Sequence, residues 1–133
     1  MTERQMQIGE VAERTGLSLR TIRHYEEVGL VTPSARSKGG FRLYTDADVE
    51  RLMVIRRMKP LDFSLEEMRD LLEITDRIAA TDDPAADEEK DRLRQRLDSY
   101  RKVADARCET LRAQLMAAED FATTLRRRLG TEN

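Results

Sequence analysis

Thr21-Ile22-Arg23-His24-Tyr25-Glu26-Glu27-Val28-Gly29-Leu30-Val31 is the stretch that decides how this chain is read. Leu19, Ile22, Tyr25 and Val28 recur every three residues until Gly29 breaks the run, which predicts a short amphipathic helix. Ser18 stands just before it with a hydroxyl suited to capping the first turn. Upstream, Ile8, Val11 and Ala12 fall at helical spacing and Gly16 follows as a stop, so a first helix ends there. Two short helices joined through Gly16-Leu17-Ser18 make a helix-turn-helix candidate.

Downstream the composition changes. Val31 to Tyr44 holds Pro33 and the turn signal Gly39-Gly40, after which Phe41 and Leu43 alternate with Arg42 and Tyr44, which predicts a small β-hairpin, a wing. Thr45 with Asp48 can cap a third helix, whose stripe is Val49, Leu52, Met53 and Ile55 and which runs to about Lys59 because Pro60 cannot continue it. Ser64-Leu65-Glu66-Glu67 reads as a capping box ahead of Leu65, Met68, Leu71 and Leu72. A DNA-binding type of head over residues 1–75 is expected, followed by a linker over 76–83.

Asp83-Pro84 offers an N-cap and a proline at the first helical position, so a final helix is expected over 84–129 with a short tail at 130–133. Its apolar positions are Leu93, Leu97, Tyr100, Ala104, Cys108, Leu111, Leu115, Ala118, Ala122, Leu125 and Leu129, spaced by threes and fours with one stutter between Ala104 and Cys108. Such a helix would extend roughly 70 Å. A stripe of that length needs a partner, and two copies of the chain cover it completely, so a homodimeric coiled coil is expected. The fold class is therefore mainly α: a winged helix-turn-helix head and a long dimerisation helix paired antiparallel.

Composition agrees with long solvated helices. Hydrophobic residues make up 39% of the 133 and charged residues 38%, with no Trp, too little apolar matter for a thick interior. Residues 1–60 carry eleven Lys and Arg against eight Asp and Glu, whereas the remainder carries 13 against 18, so the small net charge of −2 hides a basic front half. Apolar runs never approach the roughly 20 residues that cross a bilayer, and Met1 to Gln7 lacks the apolar centre of a secretory signal. A cytoplasmic protein with no membrane partner is expected.

Cys108 and His24 are each the sole residue of their type, which argues against a disulfide within one chain and against zinc chemistry. No phosphate loop, nucleophile elbow or Cys/His grouping occurs, so no catalytic residue, metal site or cofactor is expected and the protein is not read as an enzyme. Glu66 and Glu67 are better explained as capping groups. Cys108 lies near the midpoint of the long helix, where an antiparallel pairing brings it close to its mate. A small apolar filler of the seam is the plainer reading, and a pair of sensing thiols the sharper one.

The eleven-residue stretch, followed by Pro33, Arg36, Gly40-Phe41-Arg42 and Leu43-Tyr44, resembles the signature of the MerR family of bacterial transcription regulators. The likeness continues through Asp48-Val49, Leu52 to Ile55 and Leu61-Asp62-Phe63-Ser64-Leu65-Glu66-Glu67-Met68, and so covers about residues 6–75, with the tail alike in architecture only. It implies that the second helix enters the major groove, with Arg20, Thr21, Arg23 and Tyr25 meeting bases and phosphates. Arginine can give two hydrogen bonds to a guanine edge or clamp a phosphate, and hydroxyls add donors. Arg36, Lys38, Arg42 and Tyr44 on the wing resemble the family's phosphate-contacting group, and Arg57 and Lys59, with Arg56, a second cluster reaching the flanking backbone. Simple solvation is the competing reading for Arg20 and Arg23 and for Arg56, Arg57 and Lys59. His24 and Phe41 stand where the family often has tyrosine, which removes two hydroxyls from the phosphate contacts.

By the same resemblance, the homodimer would sit on an inverted repeat in double-stranded promoter DNA and distort it so that RNA polymerase engages both promoter elements. A DNA-architectural or recombination accessory protein with the same head is the alternative, and a coiled-coil adaptor that never touches DNA is a third reading. Metal-sensing members carry cysteines at the start of the dimerisation helix and after it, and drug-binding members append a ligand domain. Only Gly130-Thr131-Glu132-Asn133 follow Leu129 here, so neither kind of sensing is expected.

Overall fold

The computed structural model describes residues 4–80 and 86–130, and these fall into two compact units that part after Ala80. In the first, α1 (Ile8–Thr15) and α2 (Leu19–Glu27) are followed by strands β1 (Ala35–Arg36) and β2 (Arg42–Leu43), then α3 (Asp46–Met58), a 3-10 turn at Lys59–Leu61 and α4 (Leu65–Ala80). The second is α5 (Asp87–Leu129).

Each boundary of the head has a local cause. Gly16 (φ 72°) ends α1 with its N–H on the Ala12 carbonyl, and Gly29 (φ 81°) ends α2, a left-handed turn that a side chain resists. Beyond Gly29 the Leu30 N–H returns to the Tyr25 carbonyl at 2.9 Å, which folds the chain back and buries Leu30 at 1% exposure. Ser18 Oγ accepts the Thr21 N–H at 3.1 Å at the start of α2. Thr45 and Asp48 exchange side-chain to backbone hydrogen bonds of 3.3 and 2.9 Å as a capping box on α3. Ser64 and Glu67 do the same on α4, at 2.9 and 3.0 Å.

The hairpin is minimal. Its antiparallel ladder pairs Ala35 with Leu43 and Arg36 with Arg42, and one further bridge joins Met6 to Tyr44. A ribbon this short is marginal alone. Its base is held because Tyr44, wholly buried, joins Val11, Ile22, Tyr25, Leu30, Val31, Leu52 and Ile55 in one core. Arg14 ties α1 to the start of α3 through Asp46 at 2.8 Å. Arg51 on α3 reaches the Leu30 carbonyl and Asp76 of α4, and Arg69 donates to the Val28 carbonyl, so α4 is fastened to the segment after α2.

One boundary corrects the sequence reading. The head helix expected to close near Thr75 continues to Ala80, so residues 76–80 of the expected linker are helical, and Ile74 in its middle is buried at 1%. Alanine is the best helix former, so a run read as linker by its small residues extends the helix instead. The described long helix runs from Asp87, with Ala86 at its N-cap, while the expected start at residue 84 with its Asp83-Pro84 cap and residues 131–133 of the tail lie outside the described residues. The described α5 spans 43 residues without a break, about 65 Å. Gly130 caps it, its N–H directed to the Arg126 and Arg127 carbonyls.

Candidate nucleic-acid interface

On α2 the helical period separates two faces. Ile22 and Tyr25 point into the core at 0% and 2% exposure, whereas Leu19, Arg20, Arg23, His24 and Glu27 are exposed. Arg20, Arg23 and His24 thus form a cationic and imidazole-bearing strip on the outer side of the second helix of the helix-turn-helix. Thr21, half-buried, is occupied differently: its hydroxyl accepts a 2.9 Å hydrogen bond from the Ser18 hydroxyl, and it completes the cap of its own helix.

The wing brings Arg36, Lys38 and Arg42 to the same unit. Arg36 donates to the Gly40 carbonyl at 3.1 Å and braces the hairpin turn, and Lys38 is exposed at the tip. Arg42 gives its Nε–H to Glu26 Oε1 at 2.6 Å. Arg23 and Arg42 meet across a cleft of about 130 Å³ that Gln7, Ile8, Gly40 and Phe41 also line. The cleft opens beside Gln7 and Ile8, at the start of α1. Phe41, 64% exposed, stands at its edge, and its ring lies 3.3 Å from where a side chain at Gly39 would begin.

Tyr25 and Tyr44 correct the expectation that both tyrosines face the duplex. Tyr25 is buried, its hydroxyl has no hydrogen-bond partner among the described residues, and Lys59 Nζ lies 6.0 Å from its ring. Tyr44 is fully buried and donates its hydroxyl to Glu26 Oε2 at 2.9 Å. Burial, then the hydrogen bond to Glu26, push its phenol from 10.0 up to about 12. Both tyrosines serve the core. The residue that the motif does not single out is Glu26, whose two oxygens hold Arg42 and Tyr44 together.

Arg57 and Lys59 are exposed at the end of α3, and Arg56 lies beside Gly16 at the turn of the helix-turn-helix, about 3.8 Å from where a side chain there would begin. On α5, Leu111, Leu115, Leu125 and Leu129 are 40%, 59%, 49% and 76% exposed. Ala118 is exposed as well, and Leu97, Tyr100, Ala104, Cys108 and Ala122 are half-covered. Leu93 departs from this stripe, because it is buried at 3% within the single chain. Among the described residues no His, Cys, Asp or Glu group could hold a metal ion, and no helix is long and apolar enough to cross a membrane.

A family model described as MerR HTH family regulatory protein matches residues 6–74, and a second, described as MerR, DNA binding, matches residues 49–128. The chain belongs to the MerR family. It is 36% identical over 115 residues to the HTH-type transcriptional regulator CueR of Salmonella typhi, covering 84% of this chain and 78% of that one. To the HTH-type transcriptional activator mta of Bacillus subtilis it is 45% identical over 67 residues, 50% of this chain and 26% of the relative. The MerR chain spans 26%, 33% and 56% of the length of three such curated relatives. Its fold is also that of HiNmlR, a MerR family regulator lacking the sensor domain and bound to promoter DNA. The TM-score is 0.70 at 24% identity, over 96% of this chain and 92% of that one.

Proposed function

We propose that this MerR-family chain is a cytoplasmic transcription regulator that binds an inverted-repeat promoter site in double-stranded DNA as a homodimer and distorts it to control transcription. The observation that carries the reading is the exposed strip of Arg20 and Arg23 on the second helix of the helix-turn-helix, set in one folded unit with a wing bearing Arg36, Lys38 and Arg42. Arg20 and Arg23 are the side chains for base edges, and Arg36, Lys38 and Arg42 those for phosphates, with Arg57 and Lys59 on the flanking backbone. Thr21 acts through the cap that holds the helix start. RNA polymerase is the partner at the promoter.

The second half of the proposal rests on α5. Pairing Leu97, Tyr100, Ala104, Cys108, Leu111, Leu115, Ala118, Ala122, Leu125 and Leu129 with a second copy removes an otherwise open apolar stripe from water. Asp87, Glu88 and Glu89 begin the helix and Arg126, Arg127 and Arg128 end it, so antiparallel pairing sets an acidic end against a basic one. An inverted repeat matches the two-fold axis of such a pair. Distortion of the site costs roughly 1–6 kcal/mol, small enough for an effector to tip the balance.

Mapping of bound DNA across the genome of the native host, then footprinting of the strongest site with purified protein, tests the reading. Protected inverted repeats inside promoters are expected, and Arg23→Ala should weaken binding by about tenfold to a hundredfold. Sites scattered away from promoters would favour an architectural role instead, and wild-type affinity in Arg23→Ala would remove α2 from the interface.

A further inference from the structure

We infer that Glu26 is a positioning residue for DNA binding: by holding the Nε edge of Arg42 it presents the two terminal amino groups of that guanidinium to a backbone phosphate. The inference rests on the proposed DNA-binding reading and makes a prediction that simple electrostatics contradicts, namely that removing a negative charge from this basic surface weakens the complex.

A carboxylate in the last turn of α2 is badly placed on two counts. It sits at the negative end of its own helix, and it would face a polyanion. Glu27, the next residue, is exposed. The Glu26 side chain is instead only 14% exposed, and both of its oxygens are engaged, Oε1 by Arg42 at 2.6 Å and Oε2 by the Tyr44 hydroxyl at 2.9 Å. Tyr44 is itself immobilised in the core at 0% exposure, so the carboxylate is fixed from behind. Its raised phenol pKa keeps it a donor throughout the neutral range.

Arg42 needs that support because β2 has only two residues, and a ribbon so short cannot by itself fix a long side chain. With Nε committed, Arg42, whose side chain remains 39% exposed, lines the cleft shared with Arg23, Gly40 and the start of α1. The rotamer freedom that a loose arginine would lose on meeting DNA is already lost in the folded protein, which favours binding. Arginine, and not lysine, suits the position, since only the guanidinium has separate edges for the carboxylate and the phosphate.

The test uses the full chain and a duplex carrying its strongest mapped site, titrated at several salt concentrations. If the wild type binds without salt dependence or not at all, the DNA-binding reading fails before Glu26 is examined. Given wild-type binding, Glu26→Ala should weaken it about tenfold and flatten the salt dependence by about one phosphate per protomer, a change in slope of roughly 0.9 each. Arg42→Ala should match it, and the double variant should add little to either. Glu27→Ala, which deletes the same charge from an exposed position, should bind as tightly as the wild type or more tightly. Should Glu26→Ala unfold, as circular dichroism would reveal, Glu26→Gln decides the matter with an intermediate loss and a flattened slope. Unchanged or tighter binding by the folded Glu26 variants, an unchanged salt slope, or full additivity with Arg42→Ala would each overturn the inference, because a merely structural role lowers the folded fraction without altering phosphate contacts.

Discussion

The head and α5 use the same apolar alphabet for opposite ends. Among the described residues of the first unit, apolar side chains from Met6 to Ile74 are buried. On α5 only Leu93 is buried, while Leu111, Leu115, Leu125 and Leu129 stay in water. Period alone does not distinguish the two cases, since α4 and α5 both repeat apolar residues by threes and fours. What differs is the presence of other elements with faces to offer: α1, α2, α3 and the base of the wing surround one centre, and a helix of 43 residues has no such company within its unit. The head therefore gathers its apolar side chains into a core, whereas α5 leaves most of its own exposed in the single chain.

The sharpest way to break that contrast is to damage each region and ask whether protein concentration matters. Leu52→Ala, at a position with no exposure, should cost the head about 2–5 kcal/mol, seen as a lowered denaturation midpoint that does not move with dilution. Leu111→Asp together with Leu115→Asp should leave the head's unfolding intact and, on the proposed pairing of α5, convert dimers to monomers in sedimentation velocity. A double variant that still sediments as a dimer would remove the seam from the interface. Loss of head stability in the same variant would show that the seam positions also support the head.

A smaller effect sharpens the account of the head. Tyr44→Phe removes a hydrogen bond to a carboxylate and should cost about 1.5–3 kcal/mol at neutral pH. Its folded pKa of about 12 lies above the ordinary 10.0, so the stability that the phenol contributes is fully present below pH 10 and is lost as pH rises through 12. Absorbance titration of the phenols should accordingly contain a late-ionising component that vanishes in Tyr44→Phe. If the component persists, Tyr44 is not the raised group. Thr45→Ala, which deletes the α3 cap, should cost about 0.5–2 kcal/mol with no change in the alkaline titration.

Caps and stops were the most legible part of the sequence. Ser18, Gly29, Thr45 with Asp48, and Ser64 with Glu67 act through neighbours three or four residues away, so local spacing contains nearly all of their physics. The end of α4 was less legible, because what holds it is distant: Arg51 on Asp76, and the burial of Ile74. At the candidate interface the exposed Arg20 and Arg23 follow from helical period alone. Tyr25 and Tyr44 do not, because a tyrosine's ring and hydroxyl invite opposite placements and only the three-dimensional core decides between them. Tyr25 shares the spacing of Ile22, and that apolar period is the better guide for it, although it fails at Leu19, which is 41% exposed. In the wing a strict two-residue alternation assigns Tyr44 to the outer face with Arg42, but β2 ends at Leu43, and the bridge to Met6 places Tyr44 inward. Glu26 was illegible for a related reason: its partners lie 16 and 18 residues away, brought to it by the turn of the wing.

Cys108 offers the gentlest probe of the comparison. It is half-buried on a helix whose neighbouring seam positions are leucine, alanine and tyrosine, a setting in which a thiol acts as a small apolar group. If the seam is only packing, Cys108→Ala should change the dimer's dissociation constant by less than about tenfold, the effect of a single small group, and DNA footprints of reduced and oxidised wild-type protein should coincide. If the pairing instead brings two thiols together, oxidation should yield a covalent dimer on non-reducing gels, absent in Cys108→Ala and accompanied by an altered footprint. The first outcome leaves Cys108 as a packing group on α5. The second would make the middle of α5 a place where chemistry reaches the DNA, and the division of labour between head and helix would no longer hold.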